Sequence, residues 1–74
     1  MKVKNFVPVG TCVVVKPLKG NIGKVYRIGP HVEAAKAGDI VCCHEMAGSI
    51  NINDINYWIV KEDAILGTVD LWSS

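Results

Sequence analysis

The sequence has no long apolar segment, no run of like charge and few aromatic residues. None of its apolar stretches approaches the ~18 residues needed to cross a bilayer. The start of the chain, with Asn5 and Pro8, lacks the apolar core of a signal peptide. Eight Lys and Arg are set against seven Asp and Glu, so the net charge is only +1. We therefore expect no membrane partner, no nucleic-acid partner and a location inside the cell, in the cytoplasm.

The three cysteines form no recognisable disulfide or metal pattern. Cys42 and Cys43 are adjacent, so in a strand their side chains point to opposite faces and are poorly placed to bond each other. Zinc sites use cysteines separated by two to four residues and a second ligand pair, for which only Cys12 and His31 are left. His44 and Cys43 also face opposite ways and cannot act together as a nucleophile pair. We expect reduced cysteines and no bound metal.

Groups suited to catalysis are also missing. Glu62 and Asp63 are neighbouring carboxylates in a polar turn, where acids are usually solvated or cap the next segment. The sequence has no glycine-rich phosphate loop and no pair of acids at a spacing suited to acid–base chemistry. We expect no catalytic residue, no cofactor and no enzymatic activity.

What the chain does have is a large apolar content for its size. Of its 74 residues, 50% are hydrophobic and 20% are charged. A chain this short builds one domain with one modest core, which cannot readily hide so much apolar surface. We expect the surplus to be buried against copies of the chain or in a larger protein assembly. The alternative is a monomer.

The residue pattern indicates an all-β fold. No amphipathic helical period of useful length is present, and glycine or proline repeatedly interrupts the chain, as in small barrels and sandwiches. The predicted architecture is a barrel of about five to seven short strands, formed by a single domain over residues 1–74 with a tail at 70–74. Predicted strands lie at 12–16, 24–28, 40–44, 49–53, 57–60 and 64–69, with turns at 17–23, 36–39 and 54–56. Tyr57 and Trp58 alternate along one strand, so one should enter the core and the other should lie outward.

Four segments, in this order, resemble the GroES co-chaperonin family. They are PVGTCVVVK at residues 8–16, GKVYRIG at 23–29, KAGDIV at 36–41 and YWIVKEDAIL at 57–66. In the third segment, Gly38 permits the backbone conformation that the turn needs, and Asp39 can accept hydrogen bonds from backbone amides. The resemblance implies a small GroES-like β-barrel.

The resemblance also implies where partners bind. In the family, the outer strands of neighbouring subunits pair around a ring, and residues 1–9 and 64–69 hold the matching positions. A long flexible loop between the first two motifs docks on a chaperonin ring, and its counterpart here, at 17–23, is short. The hairpin that roofs the family's dome has only residues 31–35 as its counterpart. The predicted subunit contacts are Val3, Phe6, Val7, Ile65, Leu66 and Val69, and the predicted partner contacts are Leu18, Ile22, Leu71 and Trp72.

Two functions fit these expectations. The main hypothesis is a structural or assembly protein that uses the barrel as an oligomeric or lattice-binding module, for example a bacteriophage capsid decoration protein in the virion. The alternative is a minimal co-chaperonin that caps a chaperonin ring and assists protein folding, through Leu18 and Ile22 or through Leu71 and Trp72. A nucleic-acid-binding barrel would need clustered cations and several exposed aromatic residues on one face. Because the 17–23 segment is much shorter than the family's chaperonin-binding loop, the sequence favours the structural hypothesis.

Overall fold

The computed structural model describes residues 2–70, which are mostly in β-strands. The strands are β1 (Cys12–Lys19), β2 (Ile22–Ile28), β3 (Ile40–Cys43), β4 (Gly48–Ile52), β5 (Ile55–Lys61) and β6 (Ile65–Thr68). A 3₁₀ helix, Glu62–Ala64, joins β5 to β6. The prediction of an all-β fold is confirmed, and six strands lie within the predicted range. Within residues 2–70, no helix is long and apolar enough to cross a membrane.

The strands form one antiparallel sheet in the order β4-β5-β1-β2-β3-β6, and the short connection after β5 forces this sheet to curl. In a flat sheet, four strand spacings of about 4.8 Å would separate β5 from β6 by about 19 Å. The chain from Lys61 to Ile65 spans at most about 14 Å. The backbone N–H of His44, which donates to the Ala64 carbonyl at 3.0 Å, ties the end of β3 to this same connection. The strands therefore bend round one side of the sheet.

Apolar side chains are buried on both faces of the sheet. The larger cluster consists of Val13, Val15, Val25, Ala35, Val41, Cys43, Val60 and Ala64. The smaller cluster, on the other face, consists of Val14, Ile52 and Tyr57, with Val3 and Phe6 packed against it. The prediction of a single core is therefore wrong, because the N-terminal segment covers the second face. The prediction that Tyr57 or Trp58 would lie outward is also wrong, since Trp58 packs against the larger cluster.

The β1–β2 hairpin turns more tightly than the sequence predicted. Its turn consists of Gly20 and Asn21 alone, rather than residues 17–23. Gly20 has a φ of 59°, which a glycine adopts without a steric cost. Pro17 does not end β1 but pairs with Gly23. It is tolerated because the pairing of β1 with β5 ends at Val15, so its missing N–H breaks no bond to that strand.

The β4–β5 hairpin is closed by Asn53 and Asp54, not by the predicted residues 54–56. Both have positive φ values, 52° and 68°, as the two central residues of a type I′ turn require. Asp54 N–H donates to the Asn51 side-chain oxygen at 3.0 Å. This local bond explains how two non-glycine residues hold that conformation.

The 36–39 turn before β3 is confirmed in its position and in its chemistry. Gly38 has a φ of 98° and donates its N–H to the Val25 carbonyl at 2.8 Å. The Asp39 side chain accepts the Lys36 N–H at 3.1 Å, as predicted for this carboxylate. The turn therefore anchors the start of β3 against β2.

Candidate protein-binding surfaces

The tip of the β1–β2 hairpin holds two of the predicted partner contacts. Pro17 pairs with Gly23 and Lys19 pairs with Ile22, so Leu18 is an extra residue that forms a β-bulge beside the turn. Leu18 is 47% exposed, while Ile22 is half-buried between β1 and β3. The hairpin thus brings these two side chains to one end of the molecule without a flexible loop. Leu71 and Trp72 lie outside the described residues.

A face of the same hairpin carries positive charge that the sequence analysis did not recognise. Lys16 and Lys24 are directly opposite each other and exposed. Tyr26 stacks on Tyr57, with ring centroids 4.8 Å apart, and the Arg27 guanidinium lies 5.4 Å from the Tyr26 ring centre. We call Lys16, Lys19, Lys24 and Arg27 the basic face.

The sequence held a signal for this surface. Six cations, Lys2, Lys4, Lys16, Lys19, Lys24 and Arg27, all precede Glu33, the first acid in the chain. The near-zero net charge hid this separation, because the seven acids that follow compensate for it. Counting charge along the chain, rather than in total, reveals it.

The predicted N-terminal subunit contacts divide into packed and exposed residues. Val3 and Phe6 are half-buried against the smaller cluster of their own chain. The Val3 carbonyl accepts the Asn53 N–H at 3.1 Å, which fixes the segment across the second face of the sheet. Val7, the third predicted contact, is 65% exposed, and Val9, which was not among the predicted contacts, is 74% exposed. Only the second pair is free to bury apolar surface against another molecule.

Two of the predicted contacts near the C-terminal end, Ile65 and Leu66, lie on β6, which is an edge strand of the sheet, and the third, Val69, directly follows this strand. Ile65 is half-buried and packs against the larger cluster. Leu66 lies at a bulge in the β3–β6 pairing and is 64% exposed. Val69 is half-buried, and its N–H donates to the Ile40 carbonyl at 2.7 Å. Leu66 is therefore the most accessible apolar side chain of this group.

The Glu62 side chain forms hydrogen bonds to the backbone of the connection between β2 and β3. One of its carboxylate oxygens accepts the backbone N–H groups of Ala34 and Glu33, each at 2.6 Å. These two bonds lower the pKa of the Glu62 carboxyl, with the Ala34 bond as the larger cause. The sequence predicted that this acid would be solvated or would cap the next segment, but its carboxylate instead binds the backbone of a distant loop. Residues 29–39 contain no strand, in keeping with the short counterpart of the roof hairpin.

The described residues contain no arrangement suited to metal binding. Cys12, Cys42 and Cys43 are all free, and burial raises the pKa of the Cys43 thiol, with a smaller contribution from Cys42. His31 and His44 are exposed. Within residues 2–70, no group of three or more His, Cys, Asp or Glu side chains lies close enough to hold an ion.

Comparison with known proteins finds a curated protein of similar sequence. The chain is 45% identical over 56 residues to a protein named Co-chaperonin GroES from Thermodesulfovibrio yellowstonii. The match covers 74% of this chain, and the chain spans 60% of the length of that relative. No protein-family profile matches the chain. The similarity thus extends over most of this chain but not over the whole relative.

Proposed function

We propose that this chain, which is of the GroES co-chaperonin type by its sequence and its all-β fold, is a minimal co-chaperonin. In this role it is a non-enzymatic protein that associates with copies of itself, caps a chaperonin ring and assists the folding of other proteins. The observation that carries the proposal is the 45% identity to a relative named as a co-chaperonin. A location inside the cell goes with this function and with three free cysteines.

The relative supports the alternative hypothesis of the sequence analysis better than the main one. Nothing in the described fold or in the relative supports a capsid decoration protein or a place in a virion. The short hairpin turn, which had favoured that hypothesis, cannot reach as far as a long loop, but at the hairpin tip Leu18 is 47% exposed and Ile22 is half-buried. A contact with the ring through these side chains remains compatible with the fold.

Binding to a chaperonin ring can be tested by the native mass of the purified chain. Light scattering is recorded with and without a chaperonin ring, in the presence and absence of nucleotide. We expect nucleotide-dependent association that is lost in the double variant Leu18→Ser, Ile22→Ser. The matched control is Ile55→Ser, which removes a 41% exposed apolar side chain beside the other hairpin turn and should leave association intact. Absence of association for the parent chain would overturn the co-chaperonin proposal.

Self-association can be tested on the exposed residues of the two terminal segments. Val7 and Leu66 together offer apolar side chains that are about two-thirds exposed in the single chain. We expect Val7→Ser and Leu66→Ser to lower the native mass, because each removes apolar surface from a subunit contact. Ile55→Ser again serves as the control. If the oligomer persists in both variants, the subunit contact lies outside residues 1–9 and 64–69.

A further inference from the structure

Charge is separated in this fold between the strands and their connections. Four of the cations lie in the β1–β2 hairpin, and the strands also carry Lys61. None of the six strands contains an acidic residue. The acids that the structure describes lie in turns, connections, the 3₁₀ helix and the segment after β6. The hairpin therefore has no carboxylate within its own strands to neutralise it.

The pairing of the strands concentrates this charge further. Lys16 and Lys24 face each other directly, an arrangement in which like charges repel. The other cross-strand neighbour of Lys24 is Ile40, which offers no negative charge. Lys19 pairs with Ile22, two residues from Lys24 and on the same side of β2. Three lysines thus project from one side of the hairpin.

Apolar and aromatic groups lie among these cations. Ile22 is half-buried, Leu18 is 47% exposed at the bulge, and Tyr26 is 42% exposed beneath the Arg27 guanidinium. Tyr57, the stacking partner of Tyr26, is only 6% exposed. Proteins that bind single-stranded nucleic acid present several accessible aromatic rings on which the bases stack. Among residues 2–70, this surface presents only one such ring, that of Tyr26. Aliphatic side chains between lysines suit a polypeptide that has both carboxylates and apolar residues.

We propose that the basic face, Lys16, Lys19, Lys24 and Arg27, binds an acidic segment of a protein partner whose apolar side chains contact Leu18 and Ile22. The inference deepens the proposed function, on which it rests for the partner being a protein. Carboxylates of the partner relieve the repulsion between Lys16 and Lys24, which the chain's own strands leave uncompensated.

The probe is a fluorescently labelled peptide of Glu-Asp-Leu repeats, titrated with the full chain and followed by fluorescence anisotropy. The test variant is Lys16→Glu, Lys24→Glu, which inverts the charge of the face but keeps a like-charged pair, so the stability should stay close to that of the parent. The control is Lys36→Glu, Lys61→Glu, which changes the net charge equally at positions outside the basic face. Melting curves verify that all three proteins fold.

We expect the parent and the control to bind the peptide, and the test variant to bind at least roughly tenfold more weakly. Binding by the parent should weaken as ionic strength rises from about 0.01 to 0.15 M, because the Debye length shortens. Equal loss in both double variants would overturn the inference, since net charge alone would then explain binding. Tighter binding of an oligothymidylate than of the peptide, at equal salt, would also overturn it and assign the face to nucleic acid.

Repeating the titration with a chaperonin ring separates this inference from the proposed function. If the ring binds and the test variant binds it as well as the parent does, the basic face is not the contact and the inference fails alone. If the peptide binds as expected while the ring does not, the surface is supported and the co-chaperonin proposal fails.

Discussion

Replacing Gly23 by alanine tests whether the β1–β2 hairpin depends on close backbone packing. Gly23 is buried in β2 and pairs with Pro17. A Cβ atom at this position would collide with Val15 Cγ1 and would lie 2.8 Å from the Lys16 carbonyl oxygen. Val15 is fully buried, and Lys16 belongs to a paired strand, so neither neighbour can move away at low cost. The added methyl group has no space.

Overpacking of this kind costs about 1–3 kcal/mol. For a small domain, each 1 kcal/mol corresponds to about 4–8 °C in melting temperature, so we expect Gly23→Ala to lower Tm by roughly 5–20 °C. The assay is thermal unfolding followed by far-UV circular dichroism. Gly48→Ala is the matched control, because Gly48 also lies in a strand but has open space where its Cβ would be. The Gly48→Ala variant should be as stable as the parent chain or slightly more stable.

A double variant identifies the obstacle at Gly23. Val15→Ala alone leaves a cavity, but in the Gly23→Ala chain the new methyl group occupies part of the vacated space. Val15→Ala should therefore lower the free energy of unfolding by less in the Gly23→Ala chain than in the parent chain. Additive effects would show that Val15 is not the obstacle, and a Tm for Gly23→Ala equal to that of Gly48→Ala would refute the packing argument.

Three further changes test charge and turn geometry. The folded-state pKa of Glu62 is lowered, so its stabilising effect is complete above the ordinary value of about 4.3 and is lost as pH falls through the lowered value. Acid titration by circular dichroism should thus show a smaller acid-induced loss for Glu62→Gln than for the parent. Lys24→Glu should raise stability by about 0.2–1 kcal/mol at low salt, because an opposite-charge pair with Lys16 replaces a repulsive one; equal melting temperatures would contradict this. Asp54→Gly should raise Tm slightly, because glycine suits the second central position of a type I′ turn, whereas a lower Tm would mean that the aspartate itself holds the turn.

Local sequence patterns sufficed for most of the strands and for one turn. The valine-rich start of β1 and the apolar run of β3 are short and β-branched or small, so propensity and tertiary pairing favour the same structure. The 36–39 turn was predictable in detail because a positive φ at Gly38 and a side-chain acceptor at Asp39 are both local requirements. Where local chemistry decides the conformation, the sequence is informative.

Long-range contacts explain what the sequence did not reveal. The N-terminal segment has no strand pattern, and its place on the second face depends on Val3 and Phe6 meeting residues of β1, β4 and β5. Glu62 meets the N–H groups of Ala34 and Glu33 only because the sheet curls. Lys16 and Lys24 likewise become neighbours through the register of the hairpin, which the tight turn at residues 20–21 fixes.

The tight turn also affects the entropy cost of forming the proposed complex. A long flexible loop loses about 1–2 kcal/mol of backbone entropy for each residue that docking fixes, whereas β1 and β2 here are already paired up to Lys19 and Ile22. Docking at this hairpin therefore orders side chains and little backbone. In the proposed complex, the basic face adds electrostatic attraction to the apolar contacts of Leu18, which is 47% exposed, and Ile22, which is half-buried. Charges of this kind accelerate association more than they slow dissociation, and salt screens them over about 8 Å at physiological ionic strength. The proposed complex should consequently form and dissociate rapidly, and added salt should lower its association rate before it changes its dissociation rate.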